Sequence, residues 1–478
     1  MIRPMPTPIA PPLLDELRQL AGPGGWLDQP SDIEPYLTDF RRLYTGSSPL
    51  VLRPDSTAKV SALLGFCNTH GIGVVPQGGN TGYCGGCAPD ESGTQVVLSL
   101  SRLKRVRAVD PLDYSMTVEA GCTLHEAQQL AESVDRLFPL SLGSEGSCQV
   151  GGNLSTNAGG TAVLRYGMMR DLVLGLEVVL ADGRVVDQLR SLRKDNTGYD
   201  LRHLFMGAEG TLGVITAATL KLFPRPRTLE TSFCALRDPE AAIELLARLR
   251  EATGDAVTTF ELIPRLALDL VLRHIPGCSD PLGERHAWYA LVELSTARHD
   301  PALRALLEQV LGDAHAAGLV PDAAFAESGP QRDMFWRIRE RIPESQNLEG
   351  PSLKHDVSVP VSRLPQFLRE ATALVASIAP GVRIVSYGHA GDGNLHFNAS
   401  PPEGGDLAEF RSHEAALKRA IHDLAAKLAG SFSAEHGIGR LKVGELERYE
   451  DPHALEVMRA IKGALDPRGI MNPGKLLR

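Results

Sequence analysis

Hydrophobic and polar positions follow two rhythms along this chain, and the rhythm changes near residue 225. The first stretch, 1–45, predicts a helical segment, with an amphipathic helix over 13–21 closed by Gly22, Pro23 and Gly24. A strand over 50–52 leads to a helix ending near 69, capped by Asp55 or Ser56 and stopped by Gly71. Short runs rich in β-branched residues predict strands at 74–75, 96–100, 106–109 and 115–119, and a 3.6-residue period predicts a helix at 124–134. Strands at 172–180 and 184–186 flank an Asp-Gly hairpin turn at 181–183. Residues 46–224 therefore read as one α+β domain in two lobes.

The two prolines of Phe223-Pro224-Arg225-Pro226-Arg227 block regular structure and mark a boundary. Beyond them strands and helices alternate. A strand at 231–236 precedes Asp238-Pro239, a capping Asp with Pro at the first helical position. That helix runs to about 253, and a strand follows at 259–263. The unit recurs as strand 288–294, a helix from Asp300-Pro301 to 317 and strand 323–326, then as strand 356–359, helix 364–378 and strand 382–388. Such tandem units predict a ferredoxin-like antiparallel sheet with helices on one face, over 225–430. Helices at 407–429 and 454–464 complete the chain, and 431–478 is expected to return to the first domain.

Three glycine-dense blocks interrupt these patterns. The first, VVPQGGNTGYCGG, spans 74–86; the second, GSEGSCQVGGNLSTNAGG, spans 143–160; the third, KDNTGYDLRHLFMGAEGTLGVIT, spans 194–216. Glycine at this density lets backbone approach a ligand that a Cβ would repel, and successive N–H groups can converge on an anion such as pyrophosphate. No G-x-G-x-x-G opens a helix here, and no Gly-Lys-Ser/Thr follows, so neither a Rossmann fingerprint nor a Walker A loop is present. The first block alone is equally well an ordinary glycine-rich turn.

Together and in this order, the blocks resemble the flavin-binding domain of the vanillyl-alcohol oxidase and p-cresol methylhydroxylase superfamily, over roughly 49–224. The resemblance implies FAD. It implies the pyrophosphate at Pro76, Gly78, Gly79, Asn80, Thr81 and Gly82. It implies the isoalloxazine near the second block, at Gly143, Ser147, Gly151, Gly152, Asn153, Thr156, Asn157 and Gly160. The adenine end falls to backbone around Glu209, Gly210 and Ile215, and Asn472 of the returning C-terminal segment joins the cofactor set. Some relatives attach the flavin through a His; the first block has none, so FAD is expected to be noncovalent.

Composition narrows the field. The 478 residues allow two to four domains. A formal charge of −9, with no basic tract, argues against nucleic acid. The proline-broken N-terminus lacks an apolar signal region, and no apolar run approaches the roughly 18 residues that span a bilayer, so a cytoplasmic protein without a transmembrane segment is expected. Seven scattered Cys make no disulfide framework. The CGGC of Cys84 and Cys87 lies in a glycine loop and not at a helix N-terminus that would activate a thiol, which favours a structural role.

Residues 385–398 read VSYGHAGDGNLHFN: two strand-like runs, 385–387 and 395–398, about a turn at 390–394. This sets His389 and His396 at the two mouths of one hairpin, near enough to share an ion. Downstream, SAEHGIG adds Glu435 and His436. Two imidazoles and a carboxylate with open positions form a catalytic zinc set, and the same ligands suit nonheme iron. Either His alone is more often a hydrogen-bonded core residue; the clustering points to a site.

With GHAGDGNLHFN and SAEHGIG added, nearly the whole chain resembles the D-2-hydroxyglutarate, D-lactate and glycolate dehydrogenases. The resemblance implies His389, His396 and Glu435 as metal ligands and His436 as catalytic base. It implies Arg339 in RIRERIPES and Lys354 in SLKHDVSVP gripping substrate carboxylates, with Asn398 as a further polar contact. One departure stands out: Pro343 occupies a position where the hydroxyglutarate enzymes tend to carry Thr, which leaves the distal substrate group open. With flavin taking the electrons, a redox-inert ion, Zn2+, is the better fit.

The implied reaction oxidises a D-2-hydroxy acid, with hydride passing to flavin N5. Zinc lowers the pKa of bound water from about 15.7 to about 7, and a coordinated alcohol should respond similarly. A His, with an ordinary pKa of about 6.5, can take the hydroxyl proton, and Arg339 can hold a carboxylate bidentately. Two other readings use the same features. One is a non-redox FAD enzyme resembling the alkyl-dihydroxyacetone-phosphate synthases. The other is a flavin-binding subunit passing electrons inside a complex, against which the intact His and Glu set argues. Lack of a dinucleotide fingerprint argues against NAD, and the resemblance implies an electron-transfer flavoprotein or a quinone-linked acceptor. A homodimer is common among such enzymes.

Overall fold

The structure, a computed structural model, describes residues 8–478. The chain forms two compact units: one from residues 8–160, Gly167–Arg225 and Glu435–Arg478, the other from Thr161–Tyr166 and Pro226–Ala434.

The first unit holds two larger sheets and a two-stranded pair, Phe223–Pro224 with Arg136–Leu137. One has the order Trp26–Leu27, Val51–Leu52, Gln95–Ser99, Gly73–Gln77, the last three strands parallel. Helix Thr57–His70 packs on it through Val60, Leu63, Leu64 and Cys67, a repeat of three and four residues that puts all four on one face. Ser56 caps this helix by accepting the Lys59 N–H, and Gly71, at φ +66°, ends it. The second sheet is antiparallel, in the order Val106–Asp110, Ser115–Glu119, Val214–Lys221, Val173–Val179, Val185–Gln188. Its central strand, Val214–Lys221, is buried along almost its whole length; it begins inside the third glycine block and runs five residues past it, where no strand is expected from sequence. The C-terminal segment Glu435–Arg478 packs within this unit: the Val74 N–H donates to the Ile470 carbonyl and the Asn472 N–H to the Val74 carbonyl, each at 2.8 Å.

The second unit is built on a seven-stranded antiparallel sheet: Ala323–Phe325, Thr228–Leu236, Trp288–Thr296, Val257–Pro264, Arg383–His389, Asn394–Ser400, Asp356–Ser358. In chain order the first four strands lie 4-1-3-2, with helices Pro239–Thr253 and Ala302–Ala316 as crossovers, the ferredoxin-like arrangement. Side chains alternate across the sheet. Cys234, Phe260, Leu262 and Val292 pack against Pro239–Thr253, Ala302–Ala316, Leu364–Ile378 and Glu414–Lys427. Phe233, Ile263, Tyr289 and Tyr387 face Arg265–His274, Gly329–Glu340 and Ile342–Glu349. Helices therefore cover both faces, where one face was expected. Arg265–His274 starts directly at the end of strand Val257–Pro264, so no turn signal marks the change of period. The single helix expected at 407–429 is two, Leu407–Ser412 and Glu414–Lys427. Among the described residues no helix is long and apolar enough to cross a membrane.

Candidate active site

In the first unit the three glycine blocks meet one another. A Cβ on Gly79 would collide with the Ser147 carbonyl, so the first block touches the second there only because position 79 is glycine. The Glu209 N–H donates to the Ser155 carbonyl at 2.8 Å, joining third block to second. A Cβ on Gly210 would lie 3.1 Å from Pro76 Cγ, bringing the third block against the first. Asn80, at φ +52°, donates through Nδ2 to the Thr38 carbonyl, 2.8 Å away, and Thr81 follows half-buried in the same loop. Short helix Val150–Ser155 carries Gly151, Gly152 and Asn153. Thr156 turns back to the Gly152 carbonyl, and Asn157 Oδ1 accepts the Arg170 N–H at 2.9 Å. Ile215 stands apart from the loops, paired with Val178 in the five-stranded sheet.

These residues fit a flavin nucleotide. Nothing lies within 4 Å of where a Cβ would project from Gly82, Gly143 or Gly152, so glycine edges from two blocks border open space. Gln149 Oε1 and Asn472 Oδ1 are buried without a hydrogen-bond partner among the described residues, and Gln149 Oε1 lies beside Gly78. Buried polar atoms are rarely left unpaired, so these two suit a polar ligand.

The SAEHGIG loop is tied into the same unit. Glu209 accepts the N–H groups of Ile438 and Gly439, both at 2.7 Å, and burial pushes its pKa up despite these bonds. Glu435 Oε1 accepts the Gly160 N–H at 3.0 Å. The His436 ring stacks on Tyr83, centroids 4.6 Å apart and planes 11° apart. Cys84 gives its carbonyl to the Arg440 and Leu441 N–H groups. All seven cysteines are free thiols, and burial pushes Cys87 up to about 11, far from an activated thiolate.

In the second unit the strand register builds a polar row on one sheet face. Glu261 pairs with His389, Tyr387 with His396, and His396 with Asp356. The hairpin expected at 385–398 is longer than read: its strands are Arg383–His389 and Asn394–Ser400, and His396 sits opposite Tyr387, not at the mouth. The two imidazoles still meet, with ring centroids 5.7 Å apart and planes at 79°. Glu261 Oε1 lies 2.5 Å from His389 Nδ1, and Asp356 Oδ1 lies 3.9 Å from His396 Nδ1. Asn394 Nδ2 donates to Asp356 Oδ1 at 3.0 Å. Glu261 on Nδ1 of His389 is the usual support of a metal-binding His, and Asp356 and His396 offer ligand atoms within 4.8 Å of each other, a donor set that fits a divalent cation.

Arg339 lies in helix Gly329–Glu340 and is only 6% exposed. Its Nε donates to Glu261 Oε2 at 2.6 Å, and its guanidinium carbon lies 4.9 Å from the centroid of the Tyr387 ring. Despite burial, which works the other way, the Arg339 guanidinium and the hydrogen bond from the His389 ring hold Glu261 down to about 2. Asn398 is buried and donates to Gln346 Oε1 at 2.9 Å, while Gln346 Nε2 is buried with no partner among the described residues. Lys354 Nζ lies 3.2 Å from Asn347 Oδ1. Pro343 occupies the first turn of helix Ile342–Glu349, where its missing N–H costs nothing.

The sequence reading missed Tyr83, Glu261, Gln346 and Asp356. A Glu inside the apolar strand run TTFELIP was the one available signal, because an unpaired acid is seldom fully buried.

Two family models cover most of the chain: an FAD binding domain over 48–188 and the C-terminal domain of FAD linked oxidases over 225–476. The chain is 36% identical over 462 residues to the mitochondrial D-2-hydroxyglutarate dehydrogenase of Arabidopsis thaliana, covering 96% of this chain and 80% of the relative. It is 40% identical over 461 residues to that of Bos taurus, covering 95% and 81%. The chain belongs to the D-2-hydroxyglutarate dehydrogenase family of FAD-linked oxidoreductases. Among solved structures, p-cresol methylhydroxylase with substrate bound shares the fold of this family member at a TM-score of 0.77 and 17% identity, over 97% of this chain and 96% of the other. The FAD binding domain model, 48–188, takes in the first two glycine blocks, both of which lie in the first unit.

Proposed function

We propose that the protein oxidises a D-2-hydroxy acid to the 2-oxo acid, with D-2-hydroxyglutarate the first substrate to try and D-malate and D-lactate next. FAD is held noncovalently, since the first glycine block offers no His for attachment. A divalent cation, Zn2+ by preference, is held by His389, His396 and Glu435. When bound, FAD supplies a two-electron acceptor and the cation a positive charge that acidifies the 2-hydroxyl.

The observation that carries this reading is the pair of imidazoles on one sheet face, His389 with Glu261 on its Nδ1 and His396 with Asp356 beside it. Ala434 donates its N–H to the Asp356 carbonyl at 3.4 Å, and Glu435 is the next residue in the chain.

The chain's own groups divide the remaining work. His436 accepts the hydroxyl proton on a ring nitrogen, and Tyr83 fixes the plane of that ring. Arg339 and Lys354 bind the substrate's carboxylates, and Asn398 orients the polar end through its tie to Gln346. Pro343 brings no side-chain donor, so the distal carboxylate of a dicarboxylic substrate relies on the cations. The electrons leave to an electron-transfer flavoprotein or a quinone-linked partner, as the chain has no dinucleotide fingerprint.

Steady-state turnover of the purified holoprotein with an artificial dye acceptor tests this reading. D-2-hydroxyglutarate, D-malate, D-lactate and their L enantiomers form the panel. Turnover with at least one D acid and with no L acid is expected. Absence of turnover with every hydroxy acid in the presence of zinc defeats the proposal.

A further inference from the structure

We infer that Glu261 is the positioning residue of this site: one buried carboxylate sets both the ring of His389 and the guanidinium plane of Arg339. The inference rests on the proposed roles of His389 as metal ligand and Arg339 as carboxylate ligand.

The register makes the arrangement. Glu261 on strand Val257–Pro264 pairs with His389 on strand Arg383–His389, so both side chains rise from the same sheet face, beneath helix Gly329–Glu340. The two carboxylate oxygens are divided. Oε1 meets His389 Nδ1 at 2.5 Å and Oε2 meets Arg339 Nε at 2.6 Å. Glu261 is fully buried, and a buried anion persists only when paired and hydrogen-bonded. Arg339 is further constrained by the Tyr387 ring, 4.9 Å from its central carbon, so the guanidinium is held both in its plane and on its face.

The chemistry of the division is specific. Both partners are donors, and a carboxylate is the only side chain that offers each of them an oxygen. With Nδ1 carrying the proton toward Glu261, the ring's lone pair falls on Nε2, the nitrogen that would ligate a cation. An amide at position 261 has one oxygen and one NH2. If the oxygen stays with Arg339, the NH2 faces His389 and drives the ring to the tautomer with its proton on Nε2, which cannot bind metal. If the oxygen turns to His389, Arg339 loses its Nε hydrogen bond to position 261 and the hold on its plane is weakened. Glu261→Gln must therefore injure metal binding or substrate binding while changing neither shape nor volume.

The test measures zinc affinity of the FAD-loaded protein by chelator competition, for wild type and Glu261→Gln, with flavin content and thermal midpoint recorded alongside. Glu261→Gln is expected to bind zinc about 10- to 100-fold more weakly, or to keep its zinc affinity with KM raised and kcat little changed. Wild-type zinc affinity together with wild-type KM in this variant overturns the inference. No zinc binding by wild type overturns the proposed function itself, a separable result. Should the variant fail to fold, 15N NMR of histidine-labelled, metal-free wild type decides, with His389 assigned from the signal lost in His389→Gln. A proton on Nδ1 of His389 supports the assignment, and a proton confined to Nε2 overturns it.

Discussion

The imidazole of His436 lies flat on the phenol of Tyr83, ring centroids 4.6 Å apart. Tyr83 belongs to the first glycine block and His436 to the last loop of the chain, so the loop marked for pyrophosphate also walls the proposed base. Tyr83 is itself backed by Phe40 at 5.6 Å, and burial raises its phenol pKa, so it remains a neutral ring surface. An aromatic stack of this kind contributes about 0.5–1.5 kcal/mol, which converts to about a 2- to 12-fold effect on rate. Tyr83→Ala should lower kcat/KM by that factor. His436→Ala should lower it by about 10²–10⁴, the usual worth of a general base. Flavin content should stay at the wild-type level in both, and rates of flavin reduction under anaerobic mixing provide the check.

Glu209 holds the other side of that loop, with its carboxylate on the Ile438 and Gly439 N–H groups. Glu209→Gln keeps one acceptor oxygen and turns an NH2 toward the second N–H, leaving a buried donor unsatisfied at a cost of about 1–3 kcal/mol. Faster hydrogen exchange over 435–441 and reduced turnover are expected, with FAD still bound. Unchanged exchange in that stretch would show that the carboxylate does not hold the loop.

Gly388 closes the hairpin that carries both imidazoles. Its φ is +152°, and a Cβ there would sit 2.6 Å from the Asn394 carbonyl oxygen on the paired strand. Gly388→Ala should destabilise the protein by about 1–3 kcal/mol and weaken metal binding, as the strands separate between His389 and His396. Denaturant unfolding and zinc titration of the purified variant measure the two effects independently.

A pH dependence follows from Glu349. Its carboxylate takes Arg383 Nη1 at 2.8 Å and His274 Nε2 at 2.7 Å, tying helix Ile342–Glu349 to strand Arg383–His389 and to helix Arg265–His274. The Arg383 hydrogen bond, then that of His274, holds its pKa down at about 2, against an ordinary 4.5. Because the folded pKa lies below the unfolded one, the stabilisation is complete above pH 4.5 and fades as pH falls toward 2. Glu349→Gln should flatten this part of the stability profile. Unfolding midpoints measured across that range, wild type against variant, give the comparison, and parallel profiles would contradict it.

Local signals made much of this molecule legible. Ser56, Gly71 and the 60-63-64-67 repeat mark one helix, and Asp238-Pro239 marks another, because caps and periodicity act within a few residues. His389 and His396 could be paired from sequence since one hairpin joins them. The strand Val214–Lys221 was hidden: buried on both faces and containing Ala217 and Ala218, it shows no alternation. The partnership of Glu261 with His389 depends on strand register between segments 128 residues apart, which no local pattern encodes. Tyr83 was passed over for the same reason, as its partner lies near the other end of the chain.

Anaerobic mixing of FAD- and zinc-loaded protein with D-2-hydroxyglutarate, D-malate and D-lactate, followed by the flavin's visible absorbance, is the most direct measurement. Rapid bleaching with at least one of them, lost after EDTA treatment and regained on adding zinc, is the predicted result. Flavin that stays oxidised with every D-2-hydroxy acid while zinc is present, or that bleaches equally fast after chelation, would contradict the account.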